Sequence, residues 1–131
     1  MNPSIDKKNI TILYVDDEKV NLFIFEKNFQ GEYPVLVASS GPEALDILNE
    51  KNDTIIVVIS DFKMPEMNGV EFIRAAHQHY DHIFYFILTG YGENELIQQA
   101  LNENVIYHCF DKPFKRTQIE EKILEAVSQI E

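Results

Sequence analysis

Cysteine is nearly absent: Cys109 stands alone in 131 residues, so no internal disulfide can form, and the N-terminal stretch has no apolar signal core followed by a small-residue cleavage site. A reducing, cytoplasmic setting is expected. Long hydrophobic runs are missing too. The most apolar stretches, IIVVIS and IFYFILTG, have strand length and stop well before the ~20 residues a membrane helix needs. Basic residues are scarce, 11 against 22 acidic, and a formal net charge of −11 repels phosphate backbones and anionic lipid heads. A soluble protein is expected, with neither nucleic acid nor membrane as a direct partner. Repeats, low-complexity tracts and linkers are lacking, and the length suits one domain with a single core. Residues 1–8 read as a polar lead and 9–131 as the domain.

What is present is a regular change of apolar period. Ile10 to Val15 reads as a buried strand. Val20, Phe23, Ile24 and Lys27 fall at helical spacing and mark one face of a first helix, expected from Glu18 to Gln30 and stopping before Gly31. PVLVAS is a second strand, headed by a proline that suits a sheet edge. Ser40 to Glu43 has the form of a capping box with proline inside it, opening a helix through Leu45 and Leu48. TIIVVIS, residues 54–60, is continuously apolar, as a central strand covered on both faces should be. After the loop DFKMPEMNG, a helix from Gly69 to His79 offers Val70, Phe72, Ile73 and Ala76 for burial. The strand IFYFILT, the helix ENELIQQALNE and the strand VIYHCF follow. A last helix is expected to open at a second capping box, Thr117 to Glu120, and to carry Ile119, Ile123, Val127 and Ile130. Five strands alternating with five helices imply parallel strands joined by right-handed crossovers, an open doubly wound α/β sandwich with helices on both faces.

Ligands bind such sheets beyond the carboxyl ends of the strands, where the strand order reverses. The first strand ends in Asp16 and Asp17, the third in Asp61, the fourth in Thr89 and the fifth in Asp111 and Lys112, whereas the second ends in Ala38 and Ser39. With the flavodoxin-like order 2-1-3-4-5, the polar ends are contiguous and the silent strand is the outer one. Successive strand residues point to opposite faces, so Asp16 and Asp17 share a site only if the chain leaves the sheet there. Three carboxylates gathered from two neighbouring strands repel one another and require a cation. Hard oxygen donors without clustered cysteine or histidine favour Mg2+, which retains waters and shares its shell with phosphate. Lys112 supplies a point positive charge and Thr89 a hydroxyl donor, both suited to phosphoryl oxygens.

In the segments LYVDDE, VVISDFKMPEMNG, FILTGYG and DKPF, each at its strand end, the chain resembles the receiver domains of bacterial two-component response regulators from Ile10 to about Ile130. The resemblance implies a phosphoacceptor switch, not a metabolic enzyme, catalysing only its own phosphorylation and dephosphorylation. It makes Asp61 the phosphoacceptor, Asp16 and Asp17 Mg2+ ligands together with Asp61, and the backbone carbonyl of Lys63 a further ligand. Thr89 binds the phosphoryl group, Lys112 pairs with the phosphorylated aspartate, and the Lys112–Pro113 peptide is cis. The implied partners are a sensor histidine kinase or histidine phosphotransfer protein and a downstream protein target.

Where receivers usually carry Tyr or Phe three positions before the lysine, this chain has Cys109. Tyr107, on the same strand face by the period of two, and Tyr91, in the loop after Thr89, are the candidates to replace the missing ring. Cys109 itself reads as structural, with no base nearby in sequence. His77, His79, His82 and His108 are spread over a helix, a turn and a strand, so no histidine metal site is expected. A phosphatase with an aspartyl-phosphate intermediate wants a second acid two residues after the nucleophile, where Lys63 stands. A flavin mononucleotide carrier wants a neutral glycine- and hydroxyl-rich first loop, where VDDEKV is acidic. A phosphorylation-independent interaction module of the same fold is the second reading. Whether the chain stands free or belongs to a longer regulator stays open.

Overall fold

The computed structural model describes residues 6–90 and 94–130. Strands and helices alternate strictly: β1 (Thr11–Val15), α1 (Lys19–Phe29), β2 (Val35–Ala38), α2 (Gly41–Lys51), β3 (Ile55–Asp61), α3 (Gly69–His79), β4 (Phe84–Thr89), α4 (Glu95–Asn102), β5 (His108–Asp111) and α5 (Arg116–Val127). All strand pairs are parallel and the order is β2-β1-β3-β4-β5, the flavodoxin-like arrangement that the alternation implies. The order reverses between β1 and β3, so the loops that follow these strands flank one crevice. Among the described residues, no helix is long and apolar enough to cross a membrane.

The sheet separates two apolar layers. On one face Leu13, Val15, Val58, Tyr85 and Ile87 pack with Ala44 and Leu48 of α2, Val70, Phe72 and Ile73 of α3, and Ile97 and Ala100 of α4. On the other face Ile12, Tyr14, Val57, Ile59, Phe86 and Leu88 meet Phe25 and Phe29 of α1 and Ile119, Ile123 and Ala126 of α5. Covering both faces accounts for the apolar run of β3, in which only Ile56 is not fully buried.

On α1 the buried face differs from the one the sequence marks. Phe25 and Phe29 are fully buried with Leu22 beside them, whereas Val20, Phe23 and Ile24 are 68%, 60% and 43% exposed. The helix has apolar residues on two faces, and the aromatic one docks because Phe25 stacks on the Tyr14 ring, centroids 4.1 Å apart and planes 1° from parallel. Its end lies where expected, at Gly31, whose φ of 101° suits a residue without Cβ.

Local signals set the starts of α2 and α3. The Ser40 hydroxyl accepts from the Glu43 amide at 3.2 Å, but the Glu43 carboxylate bonds back to the Ser39 amide, one residue before the cap. A complete capping box, Asn68 with Glu71, opens α3. The box expected at Thr117 does not form. Helix α5 begins at Arg116 without a side-chain cap, because the Glu120 carboxylate is taken by Lys7 (2.7 Å), Arg116 (2.9 Å) and the Tyr33 hydroxyl (2.5 Å). Ile130, expected on the buried face, lies past the helix and is 57% exposed.

Candidate functional site

The acidic side chains meet at the carboxyl end of the sheet. The amide of Asp16 still donates to the Ala38 carbonyl at 3.1 Å, and there the chain turns out of the sheet, which lets Asp17 serve the same side. Asp16 is fully buried and Asp17 exposed at the rim, while Asp61, the last residue of β3, is 4% exposed. One carboxylate oxygen from each of the three lies within 4.8 Å of the others. Lys112, immediately after β5, places Nζ 2.7 Å from Asp61 Oδ1. Thr89 closes β4, buried to 1% exposure, and its carbonyl accepts from the Lys112 amide at 2.9 Å. The Phe62 amide donates to the Leu88 carbonyl at 3.1 Å, tying the loop after Asp61 to the end of β4. Asp17, Glu18, Asp61, Lys63, Gly90 and Lys112 line an open cleft of about 640 Å³, wide enough for a hydrated ion and a phosphoryl group. The Lys112–Pro113 peptide is cis.

Burial and neighbouring charges shift the ionisable groups of this cleft. Burial pushes the Asp61 carboxyl above its ordinary range. The bond from Lys112 opposes the rise, and the nearby charges of Asp16 and Asp17 add to it. For Lys112 burial works against the ammonium, but Asp61, with Asp16 and Glu18 behind it, outweighs burial and raises the pKa. The Lys112 ammonium contacts Asp61 beside two further carboxylates, and the clustered donors are all oxygens without a cysteine or histidine, so the set fits a hard divalent cation of the Mg2+ type.

The sequence of residues 12–124 matches the response regulator receiver domain. The chain belongs to the response regulator receiver family. It is 30% identical over 116 residues to sporulation initiation phosphotransferase F of Bacillus subtilis, covering 88% of this chain and 91% of that protein. It is also 30% identical over 120 residues to the hydrogenase transcriptional regulatory protein HoxA of Cupriavidus necator, where 92% of this chain spans only 24% of the relative. The chain thus corresponds to about a quarter of that longer regulator. A receiver domain structure from Clostridium thermocellum superposes with a TM-score of 0.85 at 31% identity, covering 92% of this chain and 95% of that one. Receiver domains are phosphoacceptor switches that bind Mg2+ in an acidic pocket, and this chain gathers Asp16, Asp17 and Asp61 in one acidic cluster.

Around the pocket this receiver departs from the expected output residues. Tyr107 does not share a face with Cys109. It precedes β5, where strand alternation has not begun, and its ring lies against Phe84 and Phe86 on the α5 side, while Cys109 packs on the opposite core with Ile87 as its strand neighbour. The Tyr107 hydroxyl donates to Glu125 at 2.6 Å and accepts from Gln129 at 2.9 Å, which ties the ring to α5. Tyr91, the other candidate, lies outside the described residues. Burial, with Asp111 nearby, pushes the Cys109 thiol up to about 11, so it stays protonated and inert at neutral pH. The histidines stand apart: His77 edge-on to Tyr85, His82 with Nε2 at 3.0 Å from the Asn52 carbonyl, and His108 against Phe110.

Two supports of the pocket escape a reading of motifs. Gly69 brings the start of α3 under the acidic loop: its amide donates to the Phe62 carbonyl at 2.7 Å, and a Cβ there would stand 2.4 Å from the Asp61 carbonyl and 2.8 Å from Ile87 Cδ1. The Asn-Gly pair before the helix is the signal that exposes it. Tyr14 donates its hydroxyl to Asp16 Oδ2 at 2.9 Å. The period of two along β1 puts both side chains on one face, so a polar tip inside an otherwise apolar strand was the visible sign.

Proposed function

We propose that this receiver takes a phosphoryl group from the phosphohistidine of a sensor histidine kinase or histidine phosphotransfer protein onto Asp61, with Mg2+, and that phosphorylation switches its binding to a downstream protein. The observation that carries the reading is the 2.7 Å contact between Lys112 Nζ and Asp61 Oδ1 inside a ring of two more carboxylates. A carboxylate oxygen of Asp61 forms the new O–P bond as the N–P bond of the donor breaks and its imidazole leaves. Lys112, already against Asp61, offsets the negative charge that the phosphoryl group adds. Asp16, Asp17, Asp61 and the Lys63 backbone carbonyl would hold Mg2+, which supplies charge neutralisation to the phosphoryl oxygens when bound. The Thr89 hydroxyl donates to a phosphoryl oxygen. Since its carbonyl is bonded to the Lys112 amide, movement at Thr89 reaches both the β4–α4 and β5–α5 units, which supplies the switch. Hydrolysis by a water aligned at Asp61 resets the protein, with Lys63 on the rim modulating access.

The donor finds its footing on α1. Val20, Phe23 and Ile24 form an exposed apolar stripe, and Ile24 shares a groove of about 500 Å³ with Asn21, Asn28, Lys112, Pro113 and Phe114. Apolar contact next to the phosphoacceptor does not depend on the sign of the partner's charge, which matters for a chain of net charge −11.

Incubation with Mg2+ and acetyl phosphate, followed by intact mass, tests the reading. One phosphoryl group, labile to hydroxylamine and absent in Asp61→Asn, is expected. No gain in mass would overturn the phosphoacceptor reading in favour of a phosphorylation-independent module, and Mg2+-dependent turnover of free phosphate esters would point to a phosphatase.

A further inference from the structure

Along β1 the side chains of Tyr14 and Asp16 lie on one face, 1% and 0% exposed. A buried phenol needs a partner for its hydroxyl, and a buried carboxylate needs donors for both oxygens. Each meets the other's need: the Tyr14 hydroxyl donates to Asp16 Oδ2 at 2.9 Å, and the Glu18 amide donates to Asp16 Oδ1 at 3.0 Å. The carboxylate is therefore clamped at both ends, once from the strand and once from the turn. The clamp is itself held, because the Tyr14 ring lies flat on Phe25, and Phe25 in turn meets Phe29 at 4.5 Å and Phe114 at 5.7 Å. The terminal torsion of an aspartate is otherwise broad, so this arrangement removes freedom that the side chain would have in an open pocket.

Cations differ in how much they gain from such a clamp. Mg2+ demands near-octahedral geometry at short distance, while Ca2+ accepts a variable number of ligands in flexible geometry. We propose that the Tyr14 hydroxyl is a positioning group that orients Asp16 and so biases the acidic pocket toward Mg2+ over Ca2+. The inference rests on the reading of this pocket as a Mg2+ site.

Tyr14→Phe removes the hydroxyl and keeps the ring on Phe25. On the full chain, titrations with MgCl2 and with CaCl2 followed by NMR shifts of the amides around Asp17 and Asp61 give both affinities. Outer-shell partners of metal ligands are worth 10- to 100-fold in affinity, so Y14F is expected to weaken Mg2+ about tenfold and Ca2+ less than about threefold. In an Asp16→Asn background Y14F should change neither. Equal loss for both ions, or no loss, overturns the positioning role and leaves the Mg2+ site standing, whereas a wild-type chain that binds no Mg2+ overturns the reading beneath it. Should Y14F not fold, the wild-type chain answers by itself. A slowly exchanging Tyr14 hydroxyl proton that shifts on adding Mg2+ supports the clamp, and the absence of any protected hydroxyl proton refutes it.

Discussion

Replacing Asp61 by Asn should make the metal-free protein more stable and abolish its stabilisation by Mg2+. Asp61 lies within 4.8 Å of carboxylate oxygens of Asp16 and Asp17 and 2.7 Å from the Lys112 ammonium. At an effective dielectric constant of about 20, unit charges 4.8 Å apart repel by roughly 3.5 kcal/mol and charges 2.7 Å apart attract by roughly 6 kcal/mol. Asp16 acts in full, whereas the exposed Asp17 and the one-third exposed Lys112 are screened, so attraction and repulsion nearly cancel. Burial then tips the balance against the charged form, which is the direction in which the Asp61 carboxyl is shifted. An acid whose folded pKa lies above its unfolded value carries a stability deficit at neutral pH that disappears as pH falls below the unfolded value. Asn at this position removes the deficit, with an expected gain of about 1 kcal/mol, or a few degrees in melting temperature. A cation binding only the folded wild-type chain adds about 2.7 kcal/mol at a hundred times its dissociation constant. Thermal melts of wild type and D61N, each with EDTA and with MgCl2, measure both effects. A metal-free D61N that melts below wild type, or an equal Mg2+ shift in the two proteins, would refute the frustrated, cation-seeking pocket.

Four further outcomes follow from the geometry. Gly69→Ala should cost about 1–3 kcal/mol in urea unfolding and weaken Mg2+ binding, because its Cβ collides with the Asp61 carbonyl at 2.4 Å. Phe23→Ala should change stability by less than about 0.5 kcal/mol, yet slow transfer from a phosphohistidine protein while labelling by acetyl phosphate is unchanged. Phe25→Ala, two residues on and fully buried, should cost about 3–5 kcal/mol. For Glu120, partial burial opposes ionisation, but bonds from Lys7, Tyr33 and Arg116 outweigh it and hold the carboxyl down at about 2, against an ordinary 4.5. Its contribution is present above pH 4.5 and fades as pH falls toward 2, so the stability difference between wild type and Glu120→Gln should shrink over that window in acid unfolding.

The sequence by itself determined the sheet, its class and the strand ends at which the polar side chains gather. Strict alternation of strand and helix periods forces parallel pairing, and parallel pairing brings the carboxyl ends of β1, β3, β4 and β5 to one edge, where Asp16, Asp61, Thr89 and Lys112 stand. These are properties of spacing, which a linear chain displays. Tertiary structure alone decided which partner each ambiguous side chain takes. Helix α1 carries apolar residues on two faces, and the rings of Tyr14, Tyr33 and Phe114 packed against it select Phe25 and Phe29 and leave Phe23 and Ile24 to solvent. Glu120 abandons a local cap for Lys7, Arg116 and Tyr33, and Tyr107 turns to α5 because its backbone precedes the regular strand. In each case a contact between residues distant in sequence outweighs a local preference worth about 1 kcal/mol or less, and such contacts exist only once the chain has closed.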